Sequence, residues 1–300
     1  MVKNGQSEIR TVVYRSPADA PFGVEAMSFA QLRAMGPPAR RAAPQRPQFH
    51  VLGVVRAGTG RHTVDFARYG LGPGSVLWIR PGQVHQLDGV EEVDGTLVLF
   101  QPDFLAPGTL AQAAADDLFG AQGWELGERR TALAMLALEH LRTEYARRAG
   151  DRLPERIEVL RSLLAVLILR VLPEPDHDPV ASPPDEVFLR FRQAVEEGFA
   201  HSRRVSWYAR RLGYAPRTLT RATLAASGVG AKEFVDRRVV LEAKRLLAHD
   251  DATVAQCATR LGFDDTANFG RFFASRVGLA PGAFRDEVRH TADRVKAGED

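Results

Sequence analysis

Ala209-Arg-Arg-Leu-Gly-Tyr214 returns 49 residues later as Ala258-Thr-Arg-Leu-Gly-Phe263. After one inserted residue the offset becomes 50: Leu219-Thr-Arg221 then aligns with Phe269-Gly-Arg271, Gly228-Val229 with Gly278-Leu279, and Phe234 with Phe284. Self-similarity at a fixed offset marks a duplicated structural unit. Each copy reads as a short helix ending at Leu-Gly-aromatic, a tight turn and a second helix, which is a helix-turn-helix. Ala209 and Ala258 are small where two helices must cross closely, and Gly213 and Gly262 can take the left-handed conformation that stops the first helix. Asp264 and Asp265 offer carboxylates to cap the second helix of copy two; copy one has Ala215 instead, followed by Pro216, which suits a first helical position. In the second helices Leu219 and Phe269 turn inward. Arg221 and Arg271, two positions on, lie about 200° further round and face outward. A guanidinium there can enter a major groove and bond guanine in bidentate fashion.

Charge agrees with this reading. Residues 186–285 hold 17 Lys and Arg against 10 Asp and Glu, whereas residues 1–185 hold 20 against 22, within a chain of 300 residues and net charge +3. Such asymmetry suits a polyanionic partner for the second half, although only four of the 40 basic residues are Lys, a bias that codon usage alone produces. With 45% hydrophobic and 26% charged residues the chain can bury cores, and collagenous or wholly disordered classes are excluded. The longest aliphatic run, Leu163 to Leu169, is far shorter than the roughly 20 residues of a membrane span. The amino terminus lacks an apolar signal region, so a cytoplasmic location away from membranes is expected. The single Cys257 forbids an intrachain disulfide and reads as a small core residue.

Before the repeat the pattern changes twice. Thr11–Tyr14, Phe49–Arg56, Ser75–Ile79 and Thr96–Phe100 are β-rich runs punctuated by Gly, as in a sandwich or barrel. Between 109 and 172 helical stripes appear: Ala134, Leu138, Leu141 and Tyr145 in one helix, and Ile157, Leu160, Leu164, Leu167 and Val171 in another. The second helix is apolar almost all round and should be covered on more than one side, so the segment 130–172 is expected to carry a dimer contact. Five prolines between Pro173 and Pro184 make a stiff linker. From Asp185 the chain reads helical as far as a charged tail after Arg285.

Residues 190–285, with both helix-turn-helix units and the run from Ala255 to Arg285, resemble the DNA-binding domain of the AraC/XylS family of transcription regulators. The resemblance implies base-edge contacts from Arg217, Thr220 and Arg221 in copy one and from Thr266, Ala267, Gly270 and Arg271 in copy two. Ala267 and Gly270 carry no hydrogen-bonding side chain, so copy two should read fewer bases. Val239 stands where the family's linking helix usually has Arg. Gly74-Ser-Val-Leu-Trp-Ile-Arg-Pro-Gly-Gln-Val-His85 is similar to the second motif of cupin barrels, and Gly58-Thr-Gly-Arg-His62 to a degenerate first motif. This adds the sensory barrel found in such regulators, with His50, His62, Trp78 and His85 as candidate ligand-binding residues.

The expectation is therefore an α+β chain of two domains. Residues 1–172 form a cupin-like β-barrel with appended helices that senses a ligand and dimerises, 173–185 a linker, and 186–300 an all-α domain with two helix-turn-helix units. Its partners would be double-stranded operator or promoter DNA, a small organic effector, a second copy of itself and RNA polymerase, with no cofactor and no catalysis. Two other readings stay open: a barrel that binds another protein, and a metal-dependent cupin enzyme with an accessory helical domain. The enzyme reading would need His50, His62 and His85 to converge on Zn or Fe. The metal-binding pattern wants two close His and a Glu, and Asp65 is the only carboxylate close after His62.

Overall fold

A computed structural model describes residues 9–16, 22–113, 120–147, 153–173 and 185–297. They fall into two compact units, one within Ile9–Asp178 and one within Pro179–Asp300. Most of the proline-rich linker, residues 174–184, lies outside the described residues.

The first unit is built from β1 (Arg10–Val12), β2 (Val24–Ser28), α1 (Phe29–Ala34), α2 (Pro38–Ala42), β3 (Gln45–Pro47), β4 (His50–Ala57), β5 (Gly60–Val64), β6 (Ala67–Leu71), β7 (Ser75–Ile79), β8 (His85–Asp88), β9 (Asp94–Phe100), α3 (Pro107–Gln112), β10 (Gly123–Glu125), α4 (Glu128–Ala146) and α5 (Leu153–Val171). Two five-stranded sheets result, ordered β1-β3-β8-β5-β6 and β10-β7-β4-β9-β2. Among the described residues no strand pairs across from one sheet to the other, so β1, β6, β10 and β2 are edges. This overturns the cupin-like β-barrel: the sheets pack face to face as a sandwich. Closure requires hydrogen bonding all the way round, and the period-two pattern of inward residues is the same whether a sheet closes or stacks on another.

Alternation sorts the second sheet's residues between two cores. Val51, Val55, Leu77, Ile79 and Leu97 meet Val64, Leu71 and Leu87 of the first sheet. Their neighbours Leu52, Val54, Val76, Trp78, Val98 and Phe100 turn the other way, onto α4 and α5. Covered on both faces, β7 has no exposed residue at all.

The stripes on α4 and α5 were legible: Ala134, Leu138, Leu141, Leu160, Leu164, Leu167 and Val171 are all buried against this sheet. Arg156 closes the connection, donating to Glu144 O (2.8 Å) and Tyr145 O (3.0 Å) at the carboxy end of α4 while stacking on Phe22. Only one side of α5 is covered by its own unit. Val159, Val166 and Leu169 remain 42–47% exposed, and Leu136 of α4 is 69% exposed.

The second unit is all helical: α6 (Glu186–Gly198), α7 (Val205–Leu212), α8 (Pro216–Ser227), α9 (Ala231–His249), α10 (Val254–Arg260), α11 (Thr266–Val277) and α12 (Pro281–Ala297). α9 joins two cores. Phe188, Phe191, Tyr208, Leu219, Phe234 and Val235 form one, and Val239, Leu246, Cys257, Phe269, Phe273 and Phe284 the other. The expected charged tail after Arg285 is helix as far as Ala297; Asp286–Ala297 contains neither Gly nor Pro to stop it. Cys257 is fully buried, and burial raises its thiol pKa, as befits an inert core residue.

Candidate nucleic-acid interface

The duplicated phrase folds as two helix pairs, α7–α8 and α10–α11. Gly213 and Gly262 take left-handed conformations (φ +73° and +68°), and Tyr214 N and Phe263 N each reach back to the alanine five residues earlier, at 2.9 and 3.0 Å. Leu219 and Phe269 are fully buried, while Arg217, Thr220, Arg221, Thr266, Ala267 and Arg271 are exposed and Gly270 is half-buried. A side chain at Gly270 would enter open space. Both helices thus turn the expected residues outward.

The copies differ at their amino ends. Ala215 gives α8 no side-chain cap, whereas the Asp265 carboxylate accepts from Asn268 N at 2.6 Å at the start of α11. Asp264, the other candidate cap, is not the one used. Among the described residues Arg217 and Arg221 have no ion-pair or hydrogen-bond partner, so both are free for an incoming polyanion; Thr220 Oγ1 donates to Pro216 O at 3.0 Å. Arg271 is held: its Nη2 donates to Asn268 Oδ1 at 2.5 Å.

The pairs are also fastened to each other by residues that the sequence did not single out. Arg203, ahead of α7, donates to Leu261 O (3.3 Å) and Gly262 O (3.1 Å) and stacks on Phe263 at 3.7 Å. A Cβ on Gly262 would stand 2.1 Å from Ala200 O, so glycine is required there for close approach as well as for its φ. Fully buried Asp236 of α9 binds Lys232 and Arg276 of α11. Val239 is buried among apolar side chains, and its neighbour Arg238 makes the polar links of the joining helix, to Glu196 of α6 (2.8 Å) and to Glu242 (3.2 Å). Lys232 and Glu242 stand one helical turn from their partners on α9, but Leu261, Gly262, Arg276 and Glu196 lie roughly 40–60 residues from theirs, which is why no local pattern announces those links.

In the first unit the four candidate ligand residues do not meet. His62 and His85 face each other between the two sheets, ring centroids 5.8 Å apart. His50 and Trp78 lie on the opposite face of the second sheet, toward α4 and α5. There Trp78 Nε1 donates to His50 Nδ1 at 3.3 Å and His50 stacks on Phe100 at 4.6 Å. Strand parity decides this separation, because residues i and i+2 share a face and His50 aligns with Leu52 rather than with inward Val51. Burial, aided by Arg80, lowers the His50 pKa to about 3; burial lowers His85 to about 4, against a smaller opposing pull from Asp65. His62 is held well below the usual histidine value by burial and then by His85. Both ring nitrogens of His62 and Nδ1 of His85 have no hydrogen-bond partner among the described residues. The region also holds a polar pair missed in the sequence, Tyr69 OH donating to Gln122 Oε1 at 3.0 Å, while Asp65, the carboxylate noted after His62, stands at φ +52° and accepts from Val84 N at 3.2 Å. No group of three His, Cys, Asp or Glu that could hold a metal ion occurs among the described residues, which disfavours the metalloenzyme reading. No described helix is long and apolar enough to cross a membrane.

Comparison with known proteins finds a helix-turn-helix domain over residues 208–287 and an AraC-like ligand binding domain over residues 29–163. The HTH-type transcriptional activator RhaS of Salmonella schwarzengrund is 25% identical over 239 residues, covering 78% of this chain and 84% of the relative. The HTH-type transcriptional activator RhaR of Klebsiella pneumoniae is 23% identical over 248 residues, 82% and 88% of the two chains. Among solved structures, ToxT from Vibrio cholerae matches at 12% identity and a TM-score of 0.38, covering 87% of this chain and 96% of that one.

Proposed function

We infer, for this sequence-specific DNA-binding transcription regulator of the AraC/XylS family with an amino-terminal ligand-binding domain and a carboxy-terminal helix-turn-helix domain, that α8 and α11 read two patches of one operator under the control of a small organic effector. The observation that carries the reading is the recurrence of an outward arginine, Arg221 and Arg271, at aligned positions of two exposed helices whose aligned Leu219 and Phe269 are fully buried. Arg217 and Thr220 extend the contact surface of copy one, and Thr266, Ala267 and Gly270 that of copy two, chiefly by shape. The 19 residues of α9 span roughly 28 Å, which suits helices entering successive major grooves on one side of DNA. One chain then covers about 15 to 20 base pairs.

Residues 1–172 serve as sensor and dimer contact, 173–185 as linker and 186–300 as reader. In the sensor, His62 and His85 offer unpaired ring nitrogens to an effector between the sheets, while His50 and Trp78 carry ligand state toward α4 and α5. The exposed Leu136, Val159, Val166 and Leu169 supply the apolar face for a second copy. RNA polymerase is the partner through which promoter binding takes effect.

Footprinting of the full chain on DNA upstream of its own and neighbouring genes, with and without candidate effectors, tests this reading. Two protected patches about one helical turn apart are expected, with affinity falling by roughly 0.9 log units per log unit of salt for each neutralised phosphate. Absence of any protected site, or a flat salt response, overturns it.

A further inference from the structure

The two aligned arginines are in different physical states. Arg221 has no partner among the described residues. Arg271 ends a chain of three side chains spaced three residues apart, on one face at the start of α11. Asp265 Oδ1 accepts from Asn268 N at 2.6 Å, Asp265 Oδ2 accepts from Asn268 Nδ2 at 2.5 Å, and Asn268 Oδ1 accepts from Arg271 Nη2 at 2.5 Å. The ends fix the orientation of the amide, since a carboxylate requires the NH2 group and a guanidinium requires the carbonyl oxygen. The aligned residues of copy one, Ala215 and Thr218, supply neither the carboxylate nor the amide.

A guanidinium is a planar fork whose value in base reading depends on alignment with guanine O6 and N7, and a fork already held loses less freedom on binding. With one donor of its terminal pair taken by Asn268, Arg271 retains the others for a base edge. Its neighbours on the reading face, Ala267 and Gly270, offer no competing hydrogen bond. Asp265 also fills the amino end of α11 with a carboxylate, so that end is unsuited to a phosphate.

We propose that Asn268 is a specificity-determining positioning residue that, anchored by Asp265, locks Arg271 as a dedicated guanine reader, so that copy two reads one base pair stringently while copy one, with free Arg217 and Arg221, reads adaptably. The proposal rests on α11 entering the major groove as described above.

The test is selection of the full-length protein on a randomised double-stranded DNA library, followed by sequencing. Wild type should prefer guanine at one base pair of the α11 patch by about 5- to 150-fold. Arg271→Ala should abolish that preference. Asn268→Ala should lower it to less than about three-fold while leaving the α8 patch unchanged, a result that a merely structural cap would not produce. Asn268→Asp sets carboxylate against carboxylate and should also lose the preference. Adding Asp265→Asn should restore it, because the amide at 265 then donates to a carboxylate at 268 that still accepts from Arg271. Wild-type guanine preference in Asn268→Ala, with Arg271→Ala abolishing it, overturns the relay alone. Unchanged preference in Arg271→Ala overturns the assignment of α11 as a reader. Should Asn268→Ala lose its helical circular dichroism, the paired swap decides, and failure of the double variant to restore the preference overturns the relay.

Discussion

Acidification offers a quantitative test of the sensor's interior. His50, His62 and His85 are buried and uncharged, and burial is the leading cause of their lowered pKa values. An unfolded chain releases them to the ordinary value near 6.5. Above pH 6.5 neither state binds these protons and the histidines leave stability unchanged. Below it the unfolded state binds protons that the folded state refuses, so stability falls as pH falls, down to the folded values of about 3 for His50 and about 4 for His85. At pH 5.0 the gap of about 1.5 pH units costs roughly 2 kcal/mol per histidine, hence about 4 kcal/mol for these two, with His62 adding in the same direction. That is a large part of the about 5–15 kcal/mol that holds a domain folded. Urea unfolding of a Trp207→Phe chain, followed at pH 7.5, 6.0 and 5.0 by the fluorescence of Trp78 and Trp124, the tryptophans of the first unit, should show the midpoint dropping steeply below pH 6.5. In His50→Phe, where stability itself changes, the slope against pH should flatten by close to one proton. A midpoint independent of pH between 7.5 and 5.0 would refute the reasoning, for it would mean that these imidazoles are solvated or already paired.

Three further outcomes are expected. Arg221→Ala should cost about 1–3 kcal/mol on the specific site and relax preference in the α8 patch alone; uniform weakening on all sequences, read by gel shift, would make it a phosphate contact. Gly213→Ala should cost about 1–2 kcal/mol for its left-handed backbone, whereas Gly262→Ala must also displace Ala200 O and should cost clearly more, an order that thermal melts of the two variants can reverse. Val166→Glu together with Leu136→Glu should give a folded monomer by sedimentation, since both positions are exposed in one chain; dimers persisting at micromolar concentration would move the contact elsewhere. Charge placed at Leu164 or Leu167 would not test this, as both are fully buried against the sheet.

The helix pairs were legible because their constraints are local. A left-handed glycine, an apolar residue three positions into the second helix and an arginine two residues later repeat within a few turns of chain, and Leu219 and Phe269 are buried as that spacing requires. The strands read as a sandwich or barrel, but the choice between the two was not legible, because inward alternation is the same in both and is hidden altogether in Ser75–Ile79, where both faces are covered. Nor could composition tell that His50 sits back to back with the pair His62 and His85, since that depends on register between strands distant in sequence. The Asp265-Asn268-Arg271 relay had a signal that sequence reading passed over: three polar residues at i, i+3 and i+6 from a helix cap share one face. Arg203 had none, because it reaches the turn between α10 and α11; for Asp236 and Arg238 the sequence shows Lys232 and Glu242 one helical turn away but gives no sign of Arg276 and Glu196, which come from other helices.

If α8 and α11 read two patches as proposed, the contacts of Arg203 and Gly262 make them a caliper with fixed jaws. One base pair inserted between the patches rotates the second by about 34° and moves it 3.4 Å along the axis, and jaws held by Arg203 on Phe263 and by the backbone of Ala200 against Gly262 cannot follow. The duplex must supply the adjustment by twisting or bending. On that reading, base pairs that neither helix touches enter the selectivity of the site through their stiffness, so that a distance is recognised as well as letters.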